Sequence, residues 1–146
     1  MASETYDALK LENQLCFPLY AASREVVKHY RPFLAPLGIT YTQYLVLMVL
    51  WEYGTASAKE LGKRLLLDSG TLTPVLKSLE QKGLVTRFRS DQDERVLIVE
   101  LTDKGDKLRD KALGVPSGIA SCIQIDAGEA AELKRLLDKL LAAYAD

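Results

Sequence analysis

Apolar residues recur at helical spacing along most of this chain, and one region alternates like paired strands. From Leu9 to Leu34, Leu11, Leu15, Leu19, Val26, Val27, Tyr30 and Phe33 lie mostly on one side of a predicted helix. Pro18 falls inside it, so the segment either kinks or restarts with Pro18 in its first turn. Pro32, Pro36 and Gly38 end it. Thr40 and Gln43 stand at capping-box spacing for a second helix. Its run from Tyr44 to Trp51 is apolar all round, which predicts a central, buried position. Gly54 closes that helix, and Thr55-Ala56 adds a small strand. Ser57 and Glu60 form a second capping box, opening a helix with Leu61, Leu65 and Leu66 on one face. Asp68-Ser69-Gly70-Thr71 then supplies turn and cap chemistry. Leu72, Val75, Leu76 and Leu79 repeat at helical spacing up to Gly83. With Thr71 as cap, Pro74 would lose no hydrogen bond; an earlier start implies a local distortion.

The period then changes. Val85-Thr86-Arg87-Phe88-Arg89 and Val96 to Leu101 are strand-like runs around a polar tip, Ser90 to Arg95. Thr102 caps a helix running toward Leu113, which Gly114, Pro116 and Gly118 break. Cys122 lies in a short apolar stretch, Ile119 to Ile125. Asp126 and Glu129 cap a last helix with a wide stripe of Ala130, Leu133, Leu136, Leu137, Leu140, Leu141 and Tyr144. Residues 1–8 are polar and expected to fray. Helix, turn, helix and β-wing make a winged helix-turn-helix, a DNA-reading device. The predicted fold is thus mainly α with a small β-wing. One domain covers 1–146, with the reading lobe at 55–101 and dimerisation helices at 9–34 and 103–144.

Two apolar terminal stripes are more than one subunit has use for, so a homodimer is expected; alternatively they only cover the central helix. Twofold symmetry would set two reading helices roughly 34 Å apart on a palindrome of double-stranded DNA. Ser69, Thr71, Thr73, Lys77 and Ser78 are the polar positions on the second helix, expected to face base edges and phosphates. Without a bidentate Arg or Asn there, reading leans on small side chains, methyl contacts and DNA shape. In the wing, Arg95 is assigned to the minor groove, and Arg87 and Arg89 to phosphates.

Net charge is −1, which looks wrong for a DNA binder until it is divided. Residues 55–96 hold eight Lys/Arg against six acids, a local excess that suits specific reading better than broad polyanion binding. No apolar run reaches the roughly 18–20 residues needed to cross a membrane. Without an export signature, a cytoplasmic location and reduced thiols are expected. The single His29 and two distant cysteines make no metal-ligand cluster. No phosphate loop, nucleophile elbow or paired-acid site suggests an enzyme, and no cofactor is implied.

The Asp93-Glu94-Arg95 wing tip and Leu101-Thr102-Asp103-Lys104-Gly105 resemble the MarR family of bacterial transcriptional regulators. Leu11-Glu12-Asn13-Gln14-Leu15-Cys16-Phe17, then Tyr20, Tyr30-Arg31 and Gly38 to Tyr44, resemble its organic hydroperoxide-sensing branch. The resemblance covers roughly residues 9–144. It implies that Cys16 is oxidised by organic hydroperoxide and that Tyr20, Tyr30 and Tyr41 donate hydrogen bonds to its thiolate, the tyrosines coming from the other subunit. It also implies that Cys122 resolves the oxidised sulfur as an intersubunit disulfide. Tyr20, four residues from Cys16, shares its face in a continuous helix. Tyr30 lies about 21 Å along such a helix and cannot reach the same chain's Cys16. Two other readings stay open: a repressor of the same fold with a phenolic or fatty ligand in its dimer crevice, and a thiol peroxidase.

Overall fold

The computed structural model describes residues 5–145. Among these residues, seven α-helices and one three-stranded sheet are ordered α1 (Cys16–Leu34), α2 (Tyr41–Tyr53), β1 (Thr55–Ser57), α3 (Ala58–Leu65), α4 (Ser69–Gln81), β2 (Val85–Arg89), β3 (Leu97–Leu101), α5 (Asp103–Ala112), α6 (Val115–Cys122) and α7 (Ala127–Leu141). Four short 3₁₀ turns join or end them. No single helix among them is long and apolar enough to cross a membrane.

The first helix starts later than its apolar pattern suggests. Asp7–Leu9 and Leu11–Asn13 are 3₁₀ turns, and Gln14 Nε2 donates to the carbonyls of Ala8 and Lys10. The α-helix begins at Cys16, so Pro18 sits in the first turn, where its missing N–H costs no bond. Residues 1–4, part of the segment expected to fray, lie outside the described residues. At the far end the helix continues through Pro32 to Leu34, and Gly38 turns the chain with a left-handed φ of 71°.

Helix α2 is the centre. Thr40 and Gln43 complete the predicted capping box, and Tyr44, Val46, Leu47 and Leu50 are buried. Leu61 of α3, Leu72, Leu76 and Leu79 of α4, and Val85 and Val99 of the sheet close the core around it. Ser57 caps α3 as its box predicts. Leu66, however, leaves that helix's face: it takes the left-handed conformation at φ 54° and points to solvent. This residue makes the turn of the helix-turn-helix. Asp68, not Thr71, caps α4, accepting from the Thr71 amide at 2.7 Å. Pro74 therefore sits inside α4 and removes the bond its N–H would have made to Gly70.

The sheet order is β1-β3-β2, all antiparallel, with Val85 opposite Leu101 and Arg89 opposite Leu97. Thr102 fastens the wing to the next helix: it caps α5 at Gly105 N, and its hydroxyl donates to Gly83 O at 2.6 Å. Gly105 lies so close to Leu84 O that a Cβ would come within 2.1 Å of it. Trp51 Nε1 donates to Gly105 O at 2.9 Å. The Leu-Thr-Asp-Lys-Gly run is thus a clamp joining α2, the sheet and α5. Beyond it, α6 lies on α1, where Gly118 faces the ring of Phe33. Cys122, in the apolar stretch from Ile119 to Ile125, is the last residue of α6.

Candidate functional site

On α4, Ser69, Thr71, Thr73 and Lys77 are all exposed; Ser69, Thr73 and Lys77 follow one another at one-turn spacing on one face, and Thr71 lies round the helix from them. Ser78 departs from the expected set. Its hydroxyl faces inward and accepts from Gln43 Nε2 at 2.8 Å. The hydroxyl is therefore committed to the protein interior, not to a base edge. Arg87 also departs: its guanidinium pairs with Glu80 of α4 at 3.0 Å, and its side chain is only 19% exposed. The pair draws the Glu80 carboxyl below its ordinary range through the hydrogen bond from Arg87. Arg87 thus buttresses the reading helix and is not displayed for phosphate. Arg89 remains exposed in the wing.

The wing tip is built around Asp93. Its Oδ1 accepts from Arg95 N and Nε, both at 3.1 Å, and Oδ2 accepts from an Arg95 terminal nitrogen at 3.2 Å. These bonds hold the Asp93 carboxyl below its usual value and present Arg95 outward, 90% exposed. Asp-Glu-Arg is thus a turn that aims a guanidinium.

The sulfur end lies elsewhere. Cys16 opens α1, exposed and unlinked, and Tyr20 follows one turn later, stacked under Arg24 at 5.1 Å. Tyr30 and Tyr41 come together at the opposite end of α1, with ring centroids 4.6 Å apart. Tyr44, which the hydrophobic pattern marks only as core, joins them at 5.8 and 6.5 Å. Because α1 is continuous, about 21 Å of helix separates Tyr30 from Cys16 of the same chain. Cys122 is remote too. Phe33, which meets Gly118, lies about 25 Å from Cys16 along α1, and Cys122 is only about 6 Å past Gly118. Even with α6 running back toward Cys16 and the Phe33–Gly118 contact allowed for, the Cα atoms of the two cysteines stay more than about 10 Å apart within one chain, beyond the about 4.4–6.8 Å of a disulfide.

Residues 28–112 match the family described as transcriptional regulator SarA/Rot. The organic hydroperoxide resistance transcriptional regulator of Bacillus subtilis (strain 168) is 50% identical over 93% of this chain and 92% of its own length. This chain belongs to that family of winged-helix transcriptional regulators. Reduced AbfR bound to DNA superposes with TM-score 0.78 and 40% identity, covering 99% of this chain and 96% of AbfR. AbfR with its disulfide formed has TM-score 0.64 at 40% identity, covering 97% of this chain and 99% of AbfR. The MarR-type fold and the hydroperoxide-resistance branch drawn from Leu11–Phe17 both stand. The relatives are regulators, not enzymes.

Burial keeps the regulator's tyrosine cluster protonated. Desolvation, aided by neighbouring phenols, pushes Tyr30 and Tyr44 above the ordinary phenol value, and desolvation alone raises Tyr41. All three hydroxyls stay protonated at neutral pH. The folded chain also keeps protons that the unfolded chain releases above about pH 10. The stability they contribute is complete below that pH and is lost as pH rises through the raised values. Tyr44→Phe is expected to flatten the decline of urea-unfolding free energy between about pH 10 and pH 12. An undiminished decline would mean that other groups cause it.

Gln43 and Tyr44 are the two residues that sequence reasoning passed over. The Tyr41-x-x-Tyr44 spacing, one helical turn, was the available signal for the tyrosine. Nothing in the sequence marked Gln43 as more than a capping residue.

Proposed function

We propose that this regulator is a homodimeric redox switch, bound to a palindromic double-stranded operator when reduced and released when an organic hydroperoxide oxidises Cys16. The carrying observation is the separation, within one chain, of Cys16 and Tyr20 from the Tyr30–Tyr41–Tyr44 cluster. A twofold axis pairing α1 of two subunits would bring each Cys16 to the partner's tyrosines. Exposed apolar side chains on the terminal helices support that pairing: Leu15, Phe17, Leu19, Val26 and Val27 near or on α1, and Leu133, Leu136, Leu140 and Leu141 on α7. Residues 9–34 and 103–144 are accordingly assigned to dimerisation, and 55–101 to DNA.

Phenol donors stabilise a thiolate over a thiol, which readies the sulfur for attack. The Cys16 thiolate attacks the distal oxygen of the peroxide; an S–O bond forms, the O–O bond breaks, and the alcohol leaves after gaining a proton. The Cys122 thiol of the other subunit then attacks the sulfenic sulfur, forming S–S and expelling water. A Cα separation of more than about 10 Å within one chain argues against an internal bridge. AbfR, solved both reduced on DNA and in a disulfide form, supports two such states, and this chain superposes better on the first. On the DNA, Ser69, Thr71, Thr73 and Lys77 read the major groove, Arg95 enters the minor groove and Arg89 meets phosphate.

Non-reducing electrophoresis after treatment with cumene hydroperoxide tests the bridge. Wild type is expected to give a dimer-sized band that dithiothreitol removes, and Cys122→Ser none. A wild-type protein that stays monomer-sized would reject the intersubunit link. Release of operator by a phenolic or fatty compound under full reduction would instead favour a ligand-driven repressor.

A further inference from the structure

The sensing end and the reading helix must communicate, and one side chain spans them. Among the described residues, Gln43 is the buried polar residue of the core, 4% exposed. It sits in the first turn of α2 between Tyr41 and Tyr44, both members of the tyrosine cluster. Its Nε2 donates to Ser78 Oγ of α4 at 2.8 Å. Its Oε1 accepts from Lys82 Nζ, just past the end of α4, at 2.7 Å, and from Thr40 N at 3.1 Å. Lys82 Nζ also donates to Gly38 O at 2.7 Å. Ser78 and Lys82 are one turn apart, so the C-terminal half of the reading helix is fastened at two points to the turn that carries the tyrosines.

We infer that Gln43 is the positioning residue that sets the reading helix in its DNA-competent orientation and passes the redox state of Cys16, felt at the tyrosine cluster, to it. The inference rests on the redox reading above. A buried amide with both carbonyl lone pairs used and one N–H engaged is costly to leave half-satisfied. Its bonds therefore hold or break together, which is the behaviour of a two-state link and not of a soft spring. Any shift of Tyr41 or Tyr44 on oxidation moves the backbone turn that bears Gln43. Ser78 and Lys82 must then follow, or lose their partner. Lys77, next to Ser78, would carry that displacement directly to the DNA face of α4.

Gel-shift titrations of an operator duplex with reduced and with cumene hydroperoxide-treated protein test this. The proteins are wild type, Gln43→Leu, Ser78→Ala, Gln43→Glu and the Gln43→Leu/Ser78→Ala double variant. Ser78→Ala keeps the core filled and so remains informative if Gln43→Leu folds poorly. Both single variants are expected to lose about tenfold or more in reduced-state affinity, and to narrow the reduced-to-oxidised affinity ratio by a similar factor. The double variant should be little worse than either single one. Gln43→Glu, which still accepts from Lys82 and can accept from the Ser78 hydroxyl, should recover most of the ratio. Trapping of Cys16 sulfenic acid by dimedone should proceed at the wild-type rate in all of them, since the sensor is untouched. A wild-type reduced-to-oxidised ratio in Ser78→Ala, or reduced and oxidised affinities that fall together with a lowered melting temperature, would overturn the inference. If wild type itself fails to form sulfenic acid, the redox reading has failed; the reduced-state affinities then still decide whether Gln43 positions the helix.

Discussion

Cys16→Ser protein is expected to hold its operator under an excess of cumene hydroperoxide that lowers wild-type affinity at least tenfold, a change of about 1.4 kcal/mol. Serine keeps the shape of cysteine, and Cys16 is exposed at the first position of α1, so the exchange disturbs no packing. It removes the one property the switch needs. A thiol gives up its proton near about pH 8.5 and lower still beside hydrogen-bond donors, and the resulting sulfur is oxidised by peroxide; a hydroxyl does neither. Reduced affinity should match wild type in the same gel-shift titration, because no DNA-facing residue changes. A Cys16→Ser protein that leaves DNA as wild type does would remove Cys16 from the mechanism, while one that cannot bind at all would show that the thiolate also shapes the reduced dimer.

Gly105→Ala should be among the most destabilising single-methyl additions in this chain. The new Cβ would stand 2.1 Å from Leu84 O and 3.1 Å from a Leu101 methyl. The nearest obstacle is backbone, held by Thr102 N donating to the same Leu84 carbonyl at 3.1 Å, so it cannot rotate away. Overpacking of this kind costs about 1–3 kcal/mol, and displacing Gly105 also endangers the Trp51 indole bond, worth about 1 kcal/mol. The better helix propensity of alanine returns about 1 kcal/mol at most. A net loss of about 1–3 kcal/mol is expected, read as a lower urea midpoint at unchanged slope, with a melting temperature roughly 3–10 °C lower. A variant as stable as wild type would mean that α5 tilts freely against the sheet. That outcome would also weaken any account in which α5 transmits motion rigidly between the terminal helices and the wing.

The reading head was largely legible from local rules. Thr40 with Gln43, Ser57 with Glu60, Thr102, and Asp126 with Glu129 all cap helices where their spacing predicts. Gly83 stops the region of α4 with a left-handed φ of 74°, and Thr55-Ala56 pairs with β3 as expected. These features depend on residues three or four apart, or on one strand meeting its neighbour, so short-range pattern suffices. What stayed open or differed has the same origin. Asp68 and Thr71 are both good caps, and the local pattern left the choice open; in the fold Asp68 caps α4 and Leu72 is buried in the core. Ser78 and Arg87 are polar and fall on predicted outward positions. Their partners, Gln43 and Glu80, are thirty-five and seven residues away, and no periodicity encodes such pairings.

By itself, then, the chain's pattern of residues determined the helix-turn-helix and wing, the caps and the Asp93-Arg95 tip. These follow from backbone hydrogen bonding and side-chain chemistry within a few residues. Tertiary structure alone decided that α1 runs unbroken from Cys16, which places the sulfur and the tyrosine cluster at opposite ends of one helix. It alone decided that Gln43 ties the tyrosine turn to the reading helix, and that Gly105 must be glycine. Each of these is a distance between segments remote in sequence, set by how the core around α2 closes.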